Sequence, residues 1–146
     1  MQWAMMFDIM VHPLHRLTRA VLPQMLARRS GKIVVIGSAN GLRGAANRSA
    51  YSAARGARHA YVRNVGVEVA PHNVQVNATA QIFVANPTSF SPAVIQAPGF
   101  ADRLREVPVG RVATGRESAL LALFLASAEG DFLVGQIVPF TGGWAT

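Results

Sequence analysis

Short apolar runs mark three strands along the chain. Residues 33–36 read Ile-Val-Val-Ile, an uninterrupted run that is typical of a parallel strand buried on both faces. Residues 74–78 form a second run, and residues 133–140 predict a third strand. Because helical spacing fills the interval between the first two runs, residues 32–78 are predicted to form a strand–helix–strand unit with parallel strands and a right-handed crossover.

Helical spacing of apolar residues marks the segments around these strands. Residues 4–29 have a period near 3.6, and Pro13 and Pro23 are expected to kink or interrupt the helix. Residues 117–127 predict an apolar helix before the third strand. Both helices are expected to flank the sheet.

The helix after the first strand carries the most informative side chains. It is predicted to begin near Asn47 or Ser49, both common N-cap residues, and to continue to residue 70, before a proline. Tyr51 and Arg55 are four residues apart, so they share one face of this helix.

Residues 79–100 are predicted to be irregular, because Pro87, Pro92 and Pro98 rule out one long helix. A loop of this length is usually a lid or a binding loop. A short charged helix and a turn are expected over residues 101–113.

Three side chains are expected to converge at one edge of the sheet. Ser38 follows the first strand and lies thirteen residues before Tyr51. The carboxyl ends of parallel strands are where open α/β sheets bind ligands. A hydroxyl, a phenol and the guanidinium of Arg55 are therefore predicted to share a pocket.

A serine after a buried strand, then thirteen residues, then Tyr-x-x-x-basic resembles the short-chain dehydrogenase/reductase superfamily. That superfamily carries lysine where this chain has Arg55. Ser38, Tyr51 and Arg55 at this spacing resemble the halohydrin dehalogenases, a branch of the same fold that does not use a nicotinamide cofactor. The segments PVGR, ESALLALFLAS, LVGQIV and GGW are similar to the carboxyl-terminal third of the superfamily.

The resemblance implies an α/β fold, a Rossmann-like doubly wound parallel sheet. Residues 1–146 would be the carboxyl-terminal portion of that domain, about three strands with flanking helices, without the first βα units. A truncated gene, a shortened chain and a misplaced start codon would each account for this. The resemblance also implies a cytoplasmic homo-oligomer, a dimer or a tetramer.

The implied activity is that of a carbon–halogen lyase that needs no cofactor and converts vicinal halohydrins to epoxides. Tyr51 would remove the hydroxyl proton, and Ser38 would orient the substrate oxygen. A free phenol ionises only near pH 10, but a neighbouring cation stabilises its phenolate. Arg55 is suited to this task because a guanidinium stays charged.

The halide or substrate would bind after the second strand. Ordinary members of the superfamily have a Pro-Gly pair here that leads towards the nicotinamide, and this chain lacks it. The resemblance implies that this segment presents backbone N–H groups and an aromatic edge to the leaving halide, as in an anion nest. The residues concerned are Ala80, Gln81, Ile82, Phe83 and Val84.

The glycines after the first strand do not form a dinucleotide fingerprint. Gly37, Gly41 and Gly44 lack the G-x-G-x-x-G spacing, and no acidic residue follows them before Glu68. A loop that shapes the pocket wall is the favoured interpretation.

A metal site is not expected either. Asp8, His12 and His15 could share a helical face, but Pro13 distorts the spacing and no further ligand is evident. A solvated or interface histidine pair is the better interpretation.

Composition narrows the function classes. The chain is 51% hydrophobic and 14% charged, has no cysteine and carries a net charge of +7. These fractions describe a globular protein without disulfides or thiol chemistry. The arginines are scattered without interleaved aromatic residues, so no nucleic-acid partner is expected. The longest apolar stretch, residues 119–128, is too short to span a membrane.

Two alternatives stay open. The chain could be an NAD(P)-dependent oxidoreductase in which arginine replaces the usual lysine, and a G-x-x-x-G-x-G turn upstream would favour that. It could also be an inactive fragment or only an interaction partner.

Overall fold

The computed structural model describes residues 2–146. The elements, in order, are α1 (Gln2–Met10), α2 (His12–Ala27), β1 (Gly31–Ser38), α3 (Ser49–Val69), β2 (Val74–Gln81), α4 (Pro92–Ile95), α5 (Phe100–Leu104), α6 (Gly115–Ala126) and β3 (Ile137–Phe140). Short 3₁₀ turns cover Ala39–Gly41, Ala70–His72 and Ala128–Gly130. No helix in the described range is both long and apolar enough to cross a bilayer.

The three strands form one parallel sheet in the order β1-β2-β3. β1 pairs with β2 from Gly31 opposite Val74 to Ser38 opposite Gln81. β3 pairs with the second half of β2. The predicted α/β fold, a Rossmann-like parallel sheet with flanking helices, is confirmed. The register also places the carboxyl ends of β1 and β2 side by side.

The core lies between α3 and the sheet. Val62, Val65 and Val69 of α3 pack against Val74 and Val76 of β2. Partly buried residues of α2 complete this cluster. Since β2 is the central strand, nearly all of its residues are buried, including the polar Gln75, Asn77 and Thr79.

The first helix is interrupted beside Pro13, as predicted, and the third strand starts later than predicted. The helix is divided into α1 and α2 at Val11, and Pro13 lies in the first turn of α2, where its missing N–H is tolerated. Pro23 lies inside α2 and does not end it. β3 starts at Ile137, because residues before it form a turn in which Gly135 has φ +65°.

The predicted helix starts were also wrong in detail. Arg48 is the N-cap of α3, Asn47 has φ +59°, and Ser49 is already helical. α6 begins at Gly115, two residues earlier than predicted. Its N-cap is Thr114, whose hydroxyl accepts from the Glu117 amide while the Glu117 carboxylate accepts from the Thr114 amide, a capping box.

The strand β1 is an edge of the sheet in the described part of the chain. Within residues 2–146 it pairs only with β2, and a groove of about 340 Å³ runs along its other side. Ile9, Leu17 and Ile36 line this groove and are each more than 40% exposed.

An unpaired apolar edge favours self-association, so we expect the purified chain to sediment as an oligomer or to aggregate. Analytical ultracentrifugation over a range of concentrations measures this. A monodisperse monomer with a sharp cooperative melt would contradict the expectation.

Candidate functional site

Ser38 ends β1 at the carboxyl edge of the sheet. Its side chain is only 7% exposed, and its hydroxyl accepts a hydrogen bond from the Asn40 amide over 3.3 Å. This contact stabilises the 3₁₀ turn that follows the strand. The hydroxyl hydrogen of Ser38 is thereby left for another acceptor.

Tyr51 and Arg55 lie on the first two turns of α3, facing the same way. The Arg55 guanidinium carbon is 4.9 Å from the centre of the Tyr51 ring. Arg48, on the other side along the helix, is 5.9 Å from the same ring. The Arg55 Nε is buried and has no hydrogen-bond partner in the described chain. The tyrosine therefore lies in a positive environment.

A cavity of about 730 Å³ opens where β1, β2 and α3 meet. Ser38, Tyr51 and Arg55 all line it, so the three side chains predicted to share a pocket do lie in one. Its other lining residues include Asn40, Arg43, Gly44, Arg48, Asn86, Thr88, Phe90, Arg103, Glu106 and Trp144.

The segment after β2 forms a second wall of this cavity. Gln81, Ile82, Phe83 and Val84 line the cavity, as predicted. Ala80 does not: it is fully buried inside β2, opposite Gly37 and Pro139, because the strand continues to Gln81. The prediction for Ala80 was therefore wrong about its position.

The backbone at Phe83 has an unusual conformation. Its φ is +54°, a left-handed value that costs energy for a residue with a bulky side chain. No acceptor in residues 2–146 bonds the amides of Phe83 or Val84, although the Phe83 carbonyl accepts from Ala113 over 2.8 Å. Successive free amides beside a left-handed residue form a concave donor site for an anion.

The loop beyond this wall is ordered by one side chain. The Asn86 amide donates to the Val84 carbonyl over 2.7 Å. The Asn86 carbonyl oxygen accepts from the backbone of Thr88 and Ser89 over 3.0 and 2.7 Å. Residues 82–90 of the predicted irregular segment thus form a wall of the cavity, whereas residues 79–81 belong to β2 and α4 lies beyond the wall.

Close packing requires two of the three glycines considered above, Gly37 within β1 and Gly41 after it. A Cβ on Gly37 would overlap the Thr79 carbonyl oxygen, and one on Gly41 would lie 2.7 Å from the His59 ring. Gly44 has open space and lines the cavity.

Behind this turn lies a buried histidine that sequence analysis missed. His59 is 2% exposed, and neither ring nitrogen has a hydrogen-bond partner in the part of the chain described. Burial lowers the pKa of His59 to about 4; the positive charge of Arg63 adds to the shift, and the Gly41 carbonyl opposes it. The imidazole is neutral at pH 7.

This histidine predicts a loss of stability in acid. Its folded pKa lies below the value of about 6.5 in the unfolded chain. The unfolded state therefore binds the proton first as the pH falls. The free energy of unfolding should have its full value above about pH 6.5. It should fall by about 3 kcal/mol as the pH is lowered to about 4.

Urea unfolding at pH 7, 5 and 4 measures this, with His59→Leu as the matched variant. Leucine fills a similar volume and cannot titrate. Equal pH dependence in the two proteins would contradict the prediction.

The residues considered as metal ligands do not converge. The His12 Nδ1 lies 3.0 Å from an Asp8 carboxylate oxygen, whereas His15 packs edge-on against Tyr61. Across residues 2–146, no three His, Cys, Asp or Glu side chains are grouped so as to hold a metal ion.

Four further residues of the cavity had no signal in the sequence. Arg43, Glu106 and Trp144 form one cluster, and Arg103 lies over a group of phenylalanine rings. Only the folded chain brings them together, because Arg43, the Arg103–Glu106 segment and Trp144 are far apart along the chain. Arg48 could have been found, since it lies one turn before Tyr51 on the same helix.

Comparisons with known sequences place the chain in a family of enzymes. Residues 1–145 match the family model described as enoyl-(acyl carrier protein) reductase. An uncharacterized oxidoreductase of Bacillus subtilis is 38% identical over 132 residues, which cover 89% of this chain and 52% of that protein. A 3-oxoacyl-[acyl-carrier-protein] reductase of Chlamydia muridarum is 32% identical, with 99% of this chain and 57% of that protein covered.

Solved structures include both dehalogenases and dehydrogenases. A protein described as a dehalogenation enzyme is 34% identical with a TM-score of 0.95, covering 98% of this chain and 59% of that one. A halohydrin dehalogenase bound to ethyl (2S)-oxiran-2-ylacetate is 28% identical with a TM-score of 0.92. The match covers 99% of this chain and 60% of that one. This chain spans between half and three fifths of the length of these relatives. By the match over nearly its whole length, the chain belongs to the short-chain dehydrogenase/reductase family.

Proposed function

We propose that this protein converts vicinal halohydrins to epoxides with release of halide, and in reverse opens epoxides with small anions. One observation supports this above the others. A single cavity is lined by a tyrosine beside a permanent cation, a serine hydroxyl and a pair of backbone amides that have no acceptor among residues 2–146. These are the groups that intramolecular displacement of a halide needs.

The reaction begins at Tyr51. Its phenolate, stabilised by Arg55, takes the proton of the substrate hydroxyl. The resulting alkoxide oxygen attacks the neighbouring carbon, forming a C–O bond as the C–halogen bond breaks and its electron pair leaves on the halide. Holding the oxygen and the leaving group in line supplies much of the rate, because both are in one molecule.

Ser38 holds the substrate oxygen in this scheme. Since its hydroxyl oxygen accepts from the Asn40 amide, its hydrogen is directed to another acceptor. A donated hydrogen bond to the alkoxide stabilises the charge that develops there. The turn at Ala39–Gly41 therefore supports the reacting group from behind.

The departing halide is assigned to the amides of Phe83 and Val84. Both residues line the cavity, and fixed N–H donors need no rearrangement as negative charge builds on the leaving group. Ring closure removes no hydride from the substrate. The proposed chemistry therefore involves no hydride acceptor.

An oxidoreductase is the second candidate, favoured by the names of the sequence relatives. The superfamily this chain resembles carries lysine in place of Arg55. Lys32, the only lysine of the chain, lies in β1 and is paired with Asp131, away from the cavity.

Measuring two products separates the candidates. The full chain and Arg55→Lys are each given a vicinal chlorohydrin, with chloride release followed, and a ketone with NAD(P)H, with absorbance followed. We expect chloride release from the unaltered chain and no hydride transfer from either protein. Ketone-dependent NAD(P)H oxidation, or no chloride release at all, would overturn the proposal, and the latter would favour an inactive fragment.

A further inference from the structure

The charges that line the cavity are strongly unbalanced. Four guanidinium groups border it, on Arg43, Arg48, Arg55 and Arg103, against the single carboxylate of Glu106. A cavity with excess positive charge attracts and holds anions. The halide assigned to the backbone amides becomes an anion only after the C–halogen bond has broken. The excess positive charge around the cavity therefore has to be explained by a group on the intact substrate.

Two of these arginines are already committed to neighbours. Arg43 lies 3.6 Å from the Glu106 carboxylate and donates to the Trp144 carbonyl over 2.7 Å. The Trp144 indole N–H donates to the same carboxylate over 3.1 Å. These three residues form a closed, neutral cluster, while Arg55 lies against Tyr51.

Arg48 and Arg103 have no such partner. Neither forms an ion pair or a side-chain hydrogen bond with any residue from 2 to 146. Both line the cavity. They are cations directed at the space where a substrate would lie.

The position of Arg103 is set by aromatic rings. Its guanidinium carbon is 6.0, 5.7 and 5.4 Å from the ring centres of Phe83, Phe90 and Phe100. Contact with ring faces holds a guanidinium in place and leaves its N–H edge free for a bidentate hydrogen-bonding partner. The aromatic wall also excludes water, which strengthens a charge-assisted hydrogen bond.

We propose that the substrate of this cavity carries a carboxylate, which Arg103 binds, with Arg48 adding to the positive potential. This inference rests on the proposed function. The Phe83 amide is assigned the halogen, and the ring of the same residue is 6.0 Å from the Arg103 guanidinium carbon, so Arg103 borders the proposed substrate position. A planar carboxylate fits the fork of a guanidinium through two parallel hydrogen bonds. The substrate class is that of halogenated hydroxy acids.

A matched pair of substrates tests this with the full chain. The anion 4-chloro-3-hydroxybutanoate and its ethyl ester have the same reacting atoms and differ in charge. We expect kcat/KM to favour the acid by about 10- to 100-fold, the range of a charge-assisted hydrogen bond. Arg103→Gln should remove most of that preference through a higher KM for the acid, and Arg103→Lys should retain part of it.

Arg105→Gln is the control. Arg105 follows the same helix, pairs with Asp102 over 3.1 Å and does not line the cavity. The substitution Arg105→Gln removes one positive charge at nearly the same place in the chain. Because Arg105 does not line the cavity, the substitution should leave the acid-to-ester preference unchanged. An equal loss in both variants would assign the effect to net charge and overturn the inference.

Binding of a non-reacting anion separates this inference from the proposed function. Calorimetry with 3-hydroxybutanoate should show binding that Arg103→Gln weakens about tenfold or more. That result without any chloride release would refute dehalogenation and support the carboxylate site. If the unaltered chain and Arg103→Gln each turn over the acid and the ester equally well, the carboxylate site would be overturned and dehalogenation would still stand. Tighter binding of inorganic phosphate than of 3-hydroxybutanoate would also overturn it.

Discussion

Tyr51→Phe should reduce chloride release from a vicinal chlorohydrin by about 10²–10⁴-fold, the usual contribution of a general base. Phenylalanine preserves the ring and its contact with Arg55, whose guanidinium lies 4.9 Å from the ring centre. It removes the only group of the cavity proposed to accept the hydroxyl proton. The loss should fall on kcat, since the contacts that bind the halogen and the oxygen are unchanged.

Tyr61→Phe is the matched control for this variant. Tyr61 lies ten residues further along the same helix, packs against the hydrophobic core and His15, and is outside the cavity. It should release chloride at the normal rate. Tyr51→Phe should still bind bromide, because the amides of Phe83 and Val84 are untouched. Near-normal chloride release from Tyr51→Phe would remove the proposed mechanism and leave the fold standing.

Gly66→Ala should lower the free energy of unfolding by about 2–3 kcal/mol, a large fraction of the 5–15 kcal/mol typical of a domain. A Cβ at Gly66 would lie 2.7 Å from the Gly135 nitrogen and 3.0 Å from the Val76 carbonyl oxygen. Those two atoms are joined by a 3.0 Å hydrogen bond that connects β2 to the turn before β3. Backbone cannot move aside as a flexible side chain can, so α3 would be displaced from the sheet.

Gly56→Ala controls for the change in helix propensity. Gly56 is in the same helix, but its added Cβ would meet only the Gly41 carbonyl oxygen, at 3.9 Å. Alanine there should stabilise the protein by about 0.5–1 kcal/mol, because glycine inside a helix loses more entropy on folding. Urea unfolding at pH 7 measures both variants. Similar stabilities for the two would show that the close approach at Gly66 is relaxed in solution.

The elements around the site could be predicted because their signals are local. An uninterrupted apolar run defines β1, and helical spacing after it defines α3. Ser38 ends one element and Tyr51 begins the next. Their meeting therefore follows from a short connection and a parallel sheet, whatever the remaining chain does.

The edges of elements were predicted less well, because they depend on particular backbone bonds. Asn47 is a good N-cap by residue type, yet it takes a left-handed conformation, and Arg48 occupies the N-cap position without a side-chain capping bond. Residues 133–136 are as apolar as a strand. The Gly135 amide nevertheless bonds the Val76 carbonyl in a turn, which delays β3 to Ile137.

By itself, the amino-acid sequence determined the sheet, the order of its elements and the convergence of Ser38, Tyr51 and Arg55. Only the tertiary structure decided that the Phe83 and Val84 amides lack acceptors in the described part of the chain and that Arg103 lines the same cavity. The physical reason is distance along the chain. Contacts among residues 83–113 set the φ of +54° at Phe83 and hold the Arg103 guanidinium near three rings. No local pattern of hydrophobic spacing encodes such contacts.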